Sequence, residues 1–467
     1  MKLTDQALYK SVVNTSHRYS LVKARLGMVK EVEEAIEPIE VGPNDLVLGC
    51  SGPEFSRDNL VKINMKRFGE GGVGEKFTWT GAIVGIQGSG KTQMAREVIC
   101  ANFATRFKEH FFIYDPKGEW WSIAEPSYEQ PGEKAVREKV DAMYSSLAIP
   151  GLHRQGYKVV TISPLFLGTD RKNVDIFFSI SWQNVRDVYD RTPDEAIKML
   201  VELLGITGGV ERIEKMIDFI SYVMLDRKIS SWKEFRLRIR ELSVKWGETA
   251  GSLLRKYRLR KEQKVISDNP KYHIDILRLM VDYQGVLYRG KLKTTPNAYV
   301  DLPFNACLKI IGSLILNDMF RYNVDKDSGA VMKLTEIAVG FDEIDLIASE
   351  VEDSSTREWV LSFAAKARMA GIDLTIIGQE ASLIYNELFT QCKVIMTSIV
   401  TENNAKILAK AHIPKEYLNM EGGLLSTLKR KQKTSVETEQ DEWAVKDEEG
   451  NVETFYAFPM VCRGVRR

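Results

Sequence analysis

GIQGSGKT, from Gly85 to Thr92, decides how the rest of the chain is read. It matches G-x-x-x-x-G-K-[ST], and its setting fits: the apolar run WTGAIVGI comes before it and a helical pattern, QMAREVICANFATRF, after it. Glycines let the backbone curl so that its N–H groups point inward at phosphate, and the helix N-terminus adds positive potential. The residues predicted to line the site are Gly85, Gln87, Gly88, Ser89, Gly90, Lys91, Thr92 and Gln93. Lys91 is placed to reach the β- and γ-phosphates of ATP, and the Thr92 hydroxyl to meet Mg²⁺. A second glycine-rich stretch, GEGGVGEK (Gly69 to Lys76), fails the same test. It ends in Glu-Lys-Phe, with a carboxylate where phosphate would sit, and reads as a flexible loop.

Outward from the loop, strand-length apolar runs alternate with longer helical segments: WTGAIVGI, FFIYD and KVVTISP, then EIAVGFDE, LTIIGQ and KVIMTS. That alternation predicts βαβ units and a parallel sheet. EIAVGFDE ends in Asp342-Glu343, where one carboxylate can hold the magnesium shell while the next orients and deprotonates a water; Asp345 competes for either role. Gln379, at the carboxyl end of LTIIGQ, lies where ligands bind in open α/β sheets and could sense the γ-phosphate. The helix before it opens at Ser355-x-x-Glu358 and closes at Gly371. Arg368, in its last turn, suits either a helix C-terminus or an arginine finger reaching a neighbour's nucleotide.

The order of phosphate loop, FIYDPKGEWW, the Asp-Glu strand and RMAGIDLTIIGQE resembles the HerA–FtsK superfamily of ring-forming, DNA-pumping ATPases. That superfamily includes conjugative coupling proteins and some viral packaging ATPases. Asp115 to Glu119 looks like the segment after its second core strand. Arg368, Gly371 and Gln379 look like its R-x-x-G…Q element, and DLVLGCSGPEFSRDNLVKINM like the short β-element before the loop in HerA-like members. Members often carry an arginine where KVIMTS offers Thr397 and Ser398. The resemblance covers roughly 45–130 and 295–425. It implies a P-loop NTPase (RecA-like) core, a homo-hexameric ring with double-stranded DNA in its channel, and ATP at the subunit interfaces.

The expected organisation is an α/β fold in five parts: an N-terminal helical segment and short β-element (1–76), the first part of the ATPase core (77–190), an all-helical basic insertion (191–292), the second part of the core (293–430) and a charged, loop-rich tail (431–467) with a last hairpin at TFYAFPMV. Within the insertion, Thr192-Pro-Asp-Glu195 and Ser231-x-x-Glu234 read as capping boxes. After it, AYVDLP (Ala298 to Pro303) reads as a strand and Ala306 to Tyr322 as a helix.

Composition narrows the function. The 467 residues, 44% hydrophobic and 28% charged, are those of a soluble globular protein. No run of ~18 apolar residues is present and the N-terminus lacks the apolar core of a secretory signal, so a cytoplasmic protein without membrane insertion is expected. Five dispersed cysteines form no metal-ligand pattern. Net charge is +1, yet Arg227 to Lys264 holds thirteen Lys and Arg against four Asp and Glu. Arg255, Lys256, Arg258, Arg260, Lys261 and Lys264 are therefore candidates for sequence-independent contact with DNA phosphates. Trp120 and Trp121 suit either stacking on a base or packing. The leading expectation is an ATP-driven DNA translocase with a nuclease, relaxase or capsid/portal partner. The alternatives are a ring ATPase that drives protein transport and a nucleotide-dependent switch or scaffold that does not pump.

Overall fold

The structure is a computed structural model that describes residues 39–42, 45–64, 80–85, 89–104, 110–124, 131–148, 157–168, 173–290, 298–324, 337–347, 354–379, 384, 386–398, 428–429, 431–447 and 451–458. The expected N-terminal helix, the Gly69–Lys76 loop, and Gln87 and Gly88 of the phosphate loop lie outside these residues.

The chain enters through the hairpin β1 (Asp45–Cys50) and β2 (Leu60–Asn64). Strand β3 (Thr80–Val84) leads through the phosphate loop into helix α1 (Lys91–Ala104), β4 (His110–Asp115) leads to α2 (Pro131–Leu147), and β5 (Val159–Pro164) to β6 (Ile176–Phe178). Five helices follow: α3 (Trp182–Tyr189), α4 (Pro193–Leu203), α5 (Val210–Met224), α6 (Trp232–Glu262) and α7 (Ile276–Asp282). The chain rejoins the sheet as β7 (Gly285–Arg289) and continues through α8 (Ala298–Val324), β8 (Ile337–Phe341), α9 (Ser354–Ala370), β9 (Ile372–Gly378), α10 (Asn386–Gln391) and β10 (Val394–Thr397). A ribbon of β11 (Gln432–Lys433) and β12 (Glu439–Gln440) precedes the closing hairpin, β13 (Glu442–Lys446) and β14 (Val452–Ala457).

The main sheet has the order β2-β1-β14-β13-β10-β3-β9-β8-β4-β7-β5-β6. From β10 to β6 every neighbouring pair is parallel, and the two terminal hairpins extend one edge antiparallel. Alternation along each strand feeds two cores. On β4, Phe112 and Tyr114 join the face covered by the α3–α9 helices, while Phe111 and Ile113 join the face under α1 and α2. Both faces are buried, so the parallel strands read as unbroken apolar runs. Cys50, Cys307 and Cys392 are free and buried, each thiol pushed up by desolvation.

Three expectations are corrected here. The 191–292 stretch is not all-helical: β7 lies within it, paired on both sides between β4 and β5. AYVDLP is not a strand but the opening of α8, with Pro303 inside the helix. Its β-prone residues yield to packing, since Pro303, Phe304, Ala306 and Cys307 are buried on that helix. The capping box at Thr192 does not form. Proline does occupy the first turn of α4, but the Thr192 hydroxyl turns back to donate to the Val188 carbonyl, and Glu195 pairs with Lys366 on α9 at 2.6 Å. At α6, Ser231 does cap the Glu234 N–H, whereas the Glu234 carboxylate accepts from the Ser230 N–H, and Asp268 accepts from the Trp232 and Lys233 N–H groups.

The insertion is fastened to the core by more than apolar contact. Lys309 on α8, 2% exposed, lies 2.7 Å from Glu202 on α4 and 2.7 Å from the Ser355 hydroxyl on α9. The Trp182 and Trp232 rings meet edge to face at 5.0 Å, and their indole N–H groups donate to the Ile229 and Ile180 carbonyls. Gly247, at φ +46°, kinks α6.

Candidate nucleotide site

The register of the sheet assembles the site. Val84 stands opposite Gly378, Phe341 opposite Ile376, and Tyr114 opposite Phe341. The carboxyl ends of β3, β9, β8 and β4 therefore open on one edge, with the glutamine strand between the phosphate-loop strand and the Asp-Glu strand. This edge brings together Lys91, Asp342, Glu343 and Gln379. Lys91, at the N-terminus of α1, is 8% exposed; burial lowers its pKa, and it feels Glu343, Lys117, Asp342 and Asp345 in that order. Thr92 and Gln93 beside it are half-buried.

Gly85 shows why the loop demands glycine. A Cβ there would stand 2.5 Å from Ser89 Oγ and 2.6 Å from Ser398 Oγ. Both hydroxyls are buried and have no hydrogen-bond partner among the described residues. Two unsatisfied polar atoms beside a bare backbone form a cradle short of a ligand. Gly90 takes φ +83° immediately before the helix.

Asp342 and Glu343 separate by local backbone geometry. Asp342 continues the strand, its N–H donating to the Tyr114 carbonyl. Glu343 adopts the left-handed conformation, φ 52° and ψ 52°, a costly state for a residue with a side chain. The turn carries its carboxylate to two donors: Lys117 pairs with Oε1, and Gln379 Nε2 donates to Oε2 at 2.7 Å. Asp342 Oδ2 accepts from the Trp120 indole N–H at 2.8 Å, and Oδ1 from the Glu343 N–H at 3.0 Å. Asp342 is pushed up to about 7, chiefly by burial, with the Asp115 and Glu343 carboxylates adding. Asp345 is also raised, by burial first and Glu343 second.

The DPKGEWW turn supports this arrangement. Asp115 accepts from the Glu119 N–H at 3.0 Å and the Trp120 N–H at 3.1 Å, and burial raises its pKa. Arg96 of α1 stacks over the Trp120 ring at 5.6 Å, joining the phosphate-loop helix to the turn. Trp120 is fully buried, so it packs and holds Asp342 and does not stack on a base. The parts played by Lys117 and Trp120 were missed in the sequence reading. The available signal was position: both stand in the turn after the strand that pairs with β8.

Arg368 is exposed, and Gly371, at φ +77°, ends its helix. It precedes β9, whereas Gln379 follows it. Seven residues of strand, about 20 Å at ~3.3 Å each, separate the two ends. Arg368 therefore stands at the opposite edge from its own chain's phosphate loop.

Fit to magnesium and a triphosphate rests on these groups. The hydroxyls of Ser89 and Ser398, unpartnered among the described residues, and the buried carboxyl of Asp342 are groups that would fit a phosphate and a cation. Among the described residues no group of three or more His, Cys, Asp and Glu could hold a metal ion. A magnesium site shared between one carboxylate, Thr92 and substrate phosphates needs none.

Among solved structures, VirB4 of Thermoanaerobacter pseudethanolicus aligns over 91% of this chain and 98% of its own, at 13% identity and a TM-score of 0.51. The chain shares with that structure the α/β fold of a P-loop NTPase core. The bacterial conjugative coupling protein TrwBΔN70 aligns over 83% of this chain and 88% of its own (11% identity, TM-score 0.40). The genome packaging NTPase B204 of Sulfolobus turreted icosahedral virus 2, in complex with ATP-γ-S, aligns over 82% and 98% (8% identity, TM-score 0.34). No family model matches the chain, and no curated protein matches it.

On this fold the six cations expected to face DNA divide. Arg255, Arg258, Lys261 and Lys264 are exposed. Lys256 is half-buried and donates to the Gly205 carbonyl at 2.7 Å. Arg260 is 1% exposed and donates to the Leu204 carbonyl and to Gln263 Oε1. Arg260 is thus a packing residue that ties α6 to the end of α4, not part of a phosphate-binding face. No helix among the described residues is long and apolar enough to cross a membrane.

Proposed function

We propose that the protein is an ATP-driven motor that moves DNA, working as a ring whose nucleotide sites lie between subunits. The observation that carries this reading is the buried Glu343, turned out of strand register and held by Gln379 on the one strand between it and the phosphate loop. A nucleotide switch has little use for such a base; a hydrolase needs one.

Lys91 and the loop N–H groups bind the β- and γ-phosphates. Thr92 and Asp342 hold magnesium, which when bound draws charge from the phosphate oxygens. Glu343 orients the attacking water and takes its proton, while Gln379 ties that carboxylate to the state of the γ-phosphate. Arg368, turned away from its own site, acts on the nucleotide of the neighbouring subunit. The exposed Arg255, Arg258, Lys261 and Lys264 grip the DNA backbone without reading sequence. The Lys309–Glu202–Ser355 contact and the Lys366–Glu195 pair join the Arg368 helix to α4, and Arg260 and Lys256 join the end of α4 to the basic helix. These contacts give a continuous mechanical link between the subunit boundary and the grip.

The test is ATP hydrolysis with and without duplex DNA across a salt series. Stimulation by DNA of unrelated sequences, falling as salt rises, is expected; hydrolysis indifferent to any nucleic acid contradicts the DNA-motor reading.

A further inference from the structure

We propose that Lys117 is a clamp on the base: without nucleotide it holds Glu343 out of use, and the terminal phosphate of an incoming triphosphate draws it off. This rests on the ATPase reading above and adds a positioning residue to it.

Both carboxylate oxygens of Glu343 are engaged, one by Lys117 and one by Gln379. A carboxylate turned toward a lysine ammonium is not turned toward a water. The two members of the ion pair differ in freedom. The Glu343 side chain is 4% exposed and fixed by its left-handed turn, whereas that of Lys117 is 18% exposed and borne on the turn after β4. Gly118, at φ +68°, follows Lys117, and its N–H closes the turn onto the Asp115 carbonyl. A Cβ at Gly118 would meet only the mobile end of the Arg289 side chain, so it is the positive φ that favours glycine in this turn. Lys117 also stands close enough to Lys91 for its charge to disfavour that of the Lys91 ammonium. Two lysines thus converge where the triphosphate ends, with Glu343 as the anion between them. A γ-phosphate brings more negative charge than one carboxylate and binds an ammonium strongly. As Lys117 moves to phosphate, Oε1 of Glu343 is freed to accept a hydrogen bond from water.

The experiment is steady-state ATP hydrolysis and ADP binding by the full chain carrying K117M, which keeps the aliphatic stem, and K117R, which keeps the charge. The clamp requires K117M to raise the KM for ATP severalfold, to leave kcat at or above the wild-type value, and to leave ADP affinity unchanged. K117R should restore the wild-type KM. A tenfold or greater fall in kcat with K117M overturns the proposal, because Lys117 would then serve the chemical step or the fold. So does a KM within twofold of wild type, which would make the ion pair incidental. Wild-type protein that binds and hydrolyses ATP while K117M changes neither constant removes the clamp alone. Wild-type protein that binds no ATP removes the ATPase reading and the clamp with it.

Discussion

The carboxyl edge of the sheet and the helical insertion are both rich in charge, and they treat it in opposite ways. At the edge, Lys91, Asp115, Asp342 and Glu343 are nearly inaccessible; burial disfavours the charge of the first three, while neighbours of both signs crowd together. On the insertion, Arg255, Arg258, Lys261 and Lys264 stand in solvent. Where a charge has been desolvated, one substitution removes a function; where it stays hydrated, charges act by sum. Arg258 and Arg260 draw the same line within one helix: two residues apart, one faces water and the other is sealed against the Leu204 carbonyl.

The largest expected effect falls at the edge. Lys91→Ala should weaken ATP binding by about 100-fold, the scale of losing a charge-assisted contact of ~3 kcal/mol. Nucleic-acid affinity, which the proposal assigns to the insertion, should hardly change. Titrating both ligands against the variant checks the separation, and parallel losses would erase the distinction between the regions.

Next comes the joint between them. Lys309→Met leaves the half-buried Glu202 beside an apolar chain; breaking such a pair costs about 2 kcal/mol, less than for a fully buried one, and a fall in Tm of a few degrees. Arg260→Ala should also destabilise, by about 2 kcal/mol through lost packing and an unpaired carbonyl. Denaturant unfolding measures both. Stability unchanged in either variant would mean that the joint carries no strength.

The edge should also show a pH signature. Because Asp342 is raised to about 7 in the fold, its charge costs stability above that pH, and the cost is relieved as pH falls through 7 toward the ordinary carboxylate value of about 4. Asp342→Asn should therefore raise the Tm of nucleotide-free protein at pH 8, with the gain shrinking by pH 5. A gain independent of pH would place the cause elsewhere.

The smallest single effects belong to the exposed cations. Arg258→Ala should leave stability within ~0.5 kcal/mol and reduce the slope of log affinity against log salt by about 1. A large loss of stability, or an unchanged slope, would remove Arg258 from the proposed grip.

Much of this contrast could be read along the chain. The loop from Gly85 to Thr92, the strand ending at Asp342-Glu343 and the strand ending at Gln379 are local patterns with their chemistry at fixed ends. The first hairpin was equally visible in LVLGC and LVKIN, but of the last only TFYA was read: its partner is EWAVK, in a tail expected to be loop-rich, and the hairpin spans Glu442–Ala457 instead of TFYAFPMV. What escaped notice depends on distant partners. GVLYR is only five residues long, flanked by helices, and becomes a central strand because β4 and β5 accept it from both sides. Arg260 looks like Arg258 until the end of α4 is laid against it. Thr192 and Glu195 satisfy a capping pattern, but Lys366, far away in sequence, takes the glutamate. Lys117 joins the base only when β4 and β8 are paired.

The central claim is that Glu343 drives hydrolysis at this edge, and phosphate release by Glu343→Gln, measured beside its ATP affinity, tests it most directly. The account predicts that ATP is still bound at least as tightly as by the wild type while turnover falls by about 100-fold or more. Turnover within a few-fold of wild type in a variant that binds ATP normally would contradict it.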